Sequence, residues 1–211
     1  EIIELIEQAD ADDNAEALVL RLNTPGGAVV PSDDIRLAAQ AFEGPTVAYT
    51  TDVCASGGYW IASGCDELWA RDGSIVGSIG VRGSRVTAGE LFEKAGLEYE
   101  GLTAGEYKDA GVPFSDLADH EREYLQGIID DYYEQFIDTV AEGRGADPDT
   151  LRETEAKVFL GDQAFELGLV DDLGTREDVE ARLAELLDTD AELTELEPSV
   201  GVTDRLRGGA E

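Results

Sequence analysis

The chain has 211 residues, 42% of them apolar, enough to bury the core of one ordinary domain. Its 48 acidic residues against 15 basic ones leave a net charge of −33, a field that repels phosphate backbones and excludes nucleic acid binding. No apolar run reaches the length of a membrane span, and no secretory signal pattern opens the chain.

The pattern predicts a short amphipathic helix over Glu1 to Gln8, on Ile2, Ile3, Leu5 and Ile6. Ala17 to Leu22 is a short apolar run, as expected of a strand covered on both faces. The turn cluster Asn23-Thr24-Pro25-Gly26-Gly27 follows. Ser32 is expected to cap the next helix, with Asp33 and Asp34 in its first turn, ending near Phe42 before Gly44-Pro45. Thr46 to Thr50 reads as a strand, Ser56 as a turn, Gly57 to Ser63 as a helix and Glu67 to Ala70 as a strand. Gly73 to Val81 is a glycine-serine loop leading into a strand. A helix over Thr87 to Ala95, a strand over Leu97 to Leu102 and a long helix over Leu117 to Val140 come next. The long helix carries Tyr124, Leu125, Ile128, Ile129, Tyr132, Phe136, Ile137 and Val140 at helical spacing, a packing face. Asp147-Pro148 opens a short helix. Short strands at Lys157 to Phe159 and Leu169-Val170 flank a helix at Asp162 to Leu167, and Thr175 to Leu187 forms the last helix. From Asp188 on, the acidic, glycine-containing composition predicts a flexible tail over residues 188–211. Strands alternating with helices predict an α/β fold with a mainly parallel sheet, and residues 1–187 are expected to form one domain.

Two glycine-rich turns each follow a strand, and in open α/β sheets the ligand crevice lies at the carboxyl ends of strands. In Ala55-Ser56-Gly57-Gly58-Tyr59-Trp60, Ser56 stands where a nucleophile would be lifted from a strand-to-helix turn. The N–H groups of Gly57 and Gly27 could form an oxyanion hole. A phosphate cradle is the competing use of the first turn. Pro25 removes a donor there, and no lysine follows Gly26-Gly27.

Ser56 needs a base, and the chain offers one histidine and three lysines. His120 lies in the polar stretch Asp116 to Glu121 and reads as a solvated surface residue. Lys108, in Gly105-Glu106-Tyr107-Lys108-Asp109-Ala110-Gly111, is bracketed by glycines after an apolar segment. It serves as a base only where its surroundings favour the neutral amine, and an ion pair with a nearby acid is the alternative. Cys54 and Cys65 read as small buried residues, since no cationic or histidine partner adjoins Cys54. The scarcity of lysine and the spread of acid along the chain are those of a protein adapted to multimolar salt, where screening cuts repulsion to a few ångströms.

The chain resembles the signal peptide peptidase A family of serine peptidases, in the Clp protease/crotonase fold group. The resemblance spans Glu1 to Leu187 and rests on five segments in family order. These are Leu20 to Gly27, Ala55 to Ala62, Gly77 to Val81, Tyr107-Lys108-Asp109 and Gly161 to Asp171. It implies a sheet of repeated β-β-α units flanked by helices, and a Ser–Lys dyad of Ser56 and Lys108. It also implies oxyanion donors at Gly57 and Gly27, and Ser78 as the residue that orients the lysine. Lys157 falls where the family more often has arginine and is given a structural role.

The family implies hydrophobic peptide substrates such as cleaved signal peptides, no metal and no cofactor. Its members form rings, and in some the lysine comes from a neighbouring subunit, which leaves open whose Ser56 Lys108 serves. An N-terminal strand and membrane anchor are expected to lie outside this sequence, with the catalytic domain extracytoplasmic and this segment itself soluble. Three alternatives share the fold: a Clp-type protease, a crotonase-type acyl-CoA enzyme and a non-catalytic scaffold. The first would need a histidine near Val81, and none is there.

Overall fold

A computed structural model describes residues 1–196 of the chain. These divide into two compact units, one formed by Glu1–Ile79 with the chain from Thr139 onward, the other by Gly80–Asp138.

The first unit holds the sheet. Its elements are α1 (Ile2–Asp10), β1 (Leu18–Thr24), α2 (Val29–Gln40), β2 (Thr46–Ala55), α3 (Gly57–Ala62), β3 (Glu67–Ala70) and β4 (Ile75–Gly77). In the second unit lie α4 (Gly89–Lys94) and most of α5 (Asp119–Arg144), whose last turns return to the first unit. The first unit continues with α6 (Pro148–Glu153), β5 (Val158–Leu160), α7 (Gly161–Glu166), β6 (Asp172–Leu173) and α8 (Arg176–Leu187).

β2 is the hub of the sheet. It pairs in parallel with β1, with β3 through Val47–Tyr49 and with β4 through Val53–Ala55. β6 extends the sheet in parallel from β3, and β5 closes it antiparallel to β4. A strand flanked on both edges and covered on both faces must be apolar, and Thr46 to Thr50 are all buried. Val47, Tyr49, Trp69, Val179 and Leu183 form a core cluster, with Ala17, Val19, Ala191 and Leu193 packed against it. The chain just past α8 thus returns to the core, and Glu195 pairs with Arg21 at 3.0 Å. The remainder of the expected tail, residues 197–211, lies outside the described residues.

The sheet agrees with the α/β expectation, but several elements differ. The segment Leu97 to Leu102 is not a strand: it has no pairing partner, and Leu102 is 91% exposed. Its Tyr99 packs instead on Phe114, which also meets Phe92. A strand needs a ladder, and apolar alternation alone does not supply one. The strand placed after the Gly73 loop lies inside it, as β4. Leu169 and Val170 are buried without sheet pairing, and the ladder begins three residues later, at β6.

Ser32 does not cap α2. The helix starts at Val29, because Pro31 is tolerated in a first turn whose N–H groups have no helical acceptor. The Ser32 hydroxyl donates back to Ala28 O at 2.9 Å. On α5 the expected packing stripe divides: Phe136, Ile137 and Val140 are fully buried, while Tyr124, Ile128 and Tyr132 are exposed.

Candidate active site

β1, β2 and β4 run parallel and deliver three turns to one end of the sheet. Ala55 pairs with Gly77, so Ser56 and Ser78 follow side by side at the ends of neighbouring strands. The Ser56 N–H donates to Gly77 O at 2.9 Å and locks that register. A bulge between Leu22 and Thr24 brings Thr24 opposite Cys54, so the Pro25-Gly26-Gly27 turn leaves β1 beside the Ser56 turn.

Ser56 holds φ 52° and ψ −123°, a region L-residues rarely occupy. Such strain costs about 1–3 kcal/mol and persists only where the surroundings over-determine it. Here they do: β2 ends one residue before and α3 begins one residue after. Ser56 occupies the N-cap of α3, yet its side chain accepts no capping bond. Its half-buried hydroxyl is therefore not consumed by the helix.

The glycines around it are required by backbone contact. A Cβ on Gly26, whose φ is +109°, would lie 2.7 Å from Ser56 Cβ and 2.8 Å from Gly57 N. One on Gly57 would meet Ser32 Oγ at 2.6 Å and Gly27 N at 2.9 Å. One on Gly58 would meet Thr24 Cγ2 at 2.7 Å. Gly27 is different, with nothing within 4 Å of the Cβ position, so its outer side is open. Among the described residues, neither the Gly27 N–H nor the Gly57 N–H donates a hydrogen bond. For Gly57 this follows from its place as first residue of a helix, where N–H groups lack internal acceptors. Two free donors thus lie close together beside a strained serine, and such a pair has the chemistry to hold a developing oxyanion.

A second layer of side chains holds this arrangement, and sequence reasoning missed it. Trp60 Nε1 donates to Asp33 Oδ1 at 2.9 Å, and Arg36 Nε donates to the same oxygen at 2.7 Å. Asp33 thereby ties α2, which follows the Gly26-Gly27 turn, to α3, which follows Ser56. Burial alone would raise the Asp33 carboxyl, but the bonds from Trp60 and Arg36 outweigh it and hold the group below the usual carboxylate range. Behind α3, the Tyr59 hydroxyl donates to Leu169 O at 2.7 Å. Arg144, its side chain 4% exposed, pairs with Asp171. The only visible signal for these partners was that Trp60 and Tyr59 carry polar atoms that burial obliges to find a mate.

Ser78 also stands in the left-handed region, at φ 53°, and its N–H donates to Lys157 O at 2.8 Å. Lys157 itself pairs with Glu155 at 2.6 Å, both side chains exposed. Cys54 and Cys65 are buried and free, and burial pushes both thiols up to about 12. That removes a thiolate at Cys54 from consideration.

Lys108 belongs to the second unit. It is exposed, in a run of turns where the Lys108 N–H donates to Gly105 O and the Ala110 N–H to Tyr107 O, both at 3.1 Å. Arg85 closes this stretch by donating to Val112 O and Ser115 O. His120, half exposed at the start of α5, faces Glu106 at 3.7 Å. The structure thus brings Ser56, Gly57, Gly27 and Ser78 to one sheet end, and Lys108 to a separate unit. Among the described residues, no group of three or more His, Cys, Asp or Glu side chains is placed to hold a metal ion. No helix among them is long and apolar enough to cross a membrane.

Residues 38–190 match the description of peptidase family S49, a span that contains Ser56, Gly57, Ser78 and Lys108 and leaves Gly27 outside. A candidate protease of Synechocystis is 41% identical over 92% of this chain and 72% of its own length. A candidate protease of Methanocaldococcus jannaschii is 36% identical over 87% of this chain, and 60% of the relative is covered. A candidate signal peptide peptidase of Enterococcus faecium is 30% identical over 82% of this chain, covering 52% of that protein. The chain therefore spans between about half and three quarters of the length of these relatives.

Proposed function

The chain belongs to peptidase family S49, and from that premise we propose that it is a serine endopeptidase with Ser56 as nucleophile and Lys108 as general base. The family has the Clp protease/crotonase-like α/β fold, and the largely parallel sheet around β2 is of that kind. One observation carries the reading: a strained, half-buried serine whose neighbouring Gly57 N–H lies beside the free Gly27 N–H across two interlocked turns.

In this reading the neutral amine of Lys108 takes the proton of Ser56 as the hydroxyl attacks the scissile carbonyl. Gly57 and Gly27 N–H groups hold the oxyanion, each worth about 3 kcal/mol by analogy with other oxyanion holes. Lys108 then gives its proton to the leaving amine, and water releases the acyl group. Ser78, next to Ser56 at the ends of paired strands, is the residue we assign to orient the amine.

Hydrophobic peptides are the proposed substrates, and the name of the E. faecium relative supports cleaved signal peptides as the class. The exposure of Lys108 in the single chain favours a homo-oligomer in which assembly desolvates the amine. Peptidase assays in high salt test the assignment. Ser56→Ala and Lys108→Ala are expected to lose activity by several orders of magnitude. Parental rates in either variant would sink the dyad.

A further inference from the structure

Lys108 is the only proposed catalytic side chain outside the sheet, and something must place it. The backbone bonds that hold its turn reach no further than three residues. Besides the Arg85 bonds to Val112 O and Ser115 O that close the stretch, its two preceding residues make longer contacts, and both go to the same face of α5. The Tyr107 ring lies 4.8 Å, centroid to centroid, from that of Tyr124 and meets His120 edge-on at 5.5 Å. Glu106 faces His120 Nε2 at 3.7 Å. His120 and Tyr124 are four residues apart, so they stack on one side of the helix. Glu106 and Tyr107, both within two residues of Lys108, thus meet the chain's one histidine and Tyr124 on α5. Both tyrosines remain about half exposed, Tyr107 at 43% and Tyr124 at 50%. Rings left that open contribute little core, so their mutual packing calls for another purpose.

We propose that Tyr107, His120 and Tyr124 form an aromatic clamp that positions the turn carrying Lys108, with Glu106 as its polar latch. The clamp touches no reacting atom. Its members are positioning residues, and the inference rests on the reading of Lys108 as base. Loss of the Tyr124 ring frees Tyr107 and lets the turn sample other placements, which lowers the fraction of time the amine stands ready. A misplaced base slows proton transfer without changing how substrate binds, and misplacement of about 1 Å can cost up to 100-fold.

The test is the reaction of Ser56 with a fluorophosphonate, alongside peptide hydrolysis, in the parent, Tyr124→Ala, Tyr124→Phe, His120→Ala and Lys108→Ala. For Tyr124→Ala we expect labelling about 10-fold slower that still reaches full extent, kcat lower by the same factor and KM unchanged. Tyr124→Phe keeps the ring and should match the parent, and His120→Ala should fall between. A merely structural role would instead lower the extent of labelling, and that result overturns the clamp. Parental labelling rates in both Tyr124→Ala and His120→Ala, with Lys108→Ala inactive, also overturn it while leaving the dyad standing. A parental rate in Lys108→Ala overturns the dyad and the clamp with it.

Discussion

Gly26 and Gly105 share a backbone φ of +109° and almost nothing else. Gly26 lies in the first unit, where an added Cβ would strike Ser56 Cβ, Gly57 N and Ala55 O, all within 3.0 Å. Gly105 lies in the second unit at the start of the Lys108 turn, and its Cβ position has nothing within 4 Å. The same dihedral is packed solid on one side and open on the other. The proposed nucleophile and oxyanion donors are set by the sheet, through backbone touching backbone. The proposed base sits on a turn whose longer contacts are exposed side chains. Geometry of the first kind comes with the fold, whereas geometry of the second can be adjusted one side chain at a time.

Alanine at these two glycines breaks or sharpens the contrast most strongly. Gly26→Ala combines backbone strain with overpacking against main-chain atoms and should cost about 3–5 kcal/mol, with loss of activity. Gly105→Ala carries strain alone and should cost about 1–3 kcal/mol. Denaturant unfolding of both variants gives the comparison. Equal losses would mean that the Gly26 contacts yield as easily as open space.

The two halves also differed in how legible they were. Ser56, Gly27 and Gly57 are legible as glycine-rich turns after strand-like runs, because a parallel sheet sends every such turn to the same end, whereas Ser78 is singled out only by the family resemblance. The pairing of Ala55 with Gly77 then followed from topology. The second unit resisted the same reading. Leu97 to Leu102 has the apolar content of a strand but no ladder, and the Tyr124 side of α5 has the spacing of a core face but lies open. Periodicity reports which residues share a face, not whether anything covers it. The Asp33–Trp60 bond was invisible for another reason. It joins residues 27 apart through side chains, and no local pattern encodes such a pair.

A pH-dependent effect comes from the buried thiols of the sheet unit. Burial holds Cys54 and Cys65 at about 12, against an ordinary thiol value near 9. Between those values the unfolded chain gives up thiol protons that the folded chain keeps. Stability is therefore flat below pH 9 with respect to these groups and falls as pH rises through the window, by about 1.4 kcal/mol per pH unit for each thiol. Cys54→Ala should flatten that decline by one thiol's share in unfolding measurements from pH 8 to 11. Native protein at pH 8 should leave both thiols unlabelled by iodoacetamide. Rapid labelling would show that the sheet end opens as freely as an exposed turn.

The smallest predicted change has the opposite sign. Ser56 holds its φ of 52° and ψ of −123° with a side chain that glycine would not need to accommodate. Ser56→Gly releases strain of about 1–3 kcal/mol and gives back roughly 0.5–1 kcal/mol through the greater freedom of the unfolded chain. The variant should thus be more stable than the parent by about 1 kcal/mol, while its peptidase activity is gone. Ser56→Ala keeps the Cβ and the strain, so it should lose activity without that gain. Stabilisation by glycine and not by alanine places the cost in the backbone rather than in the hydroxyl. It would mean that the sheet end tolerates an unfavourable conformation at the one residue proposed to attack. If Ser56→Gly instead destabilises the protein, the turn is held by contacts of the serine side chain, and the turn of the proposed nucleophile is no more rigidly built than the turn that carries Lys108.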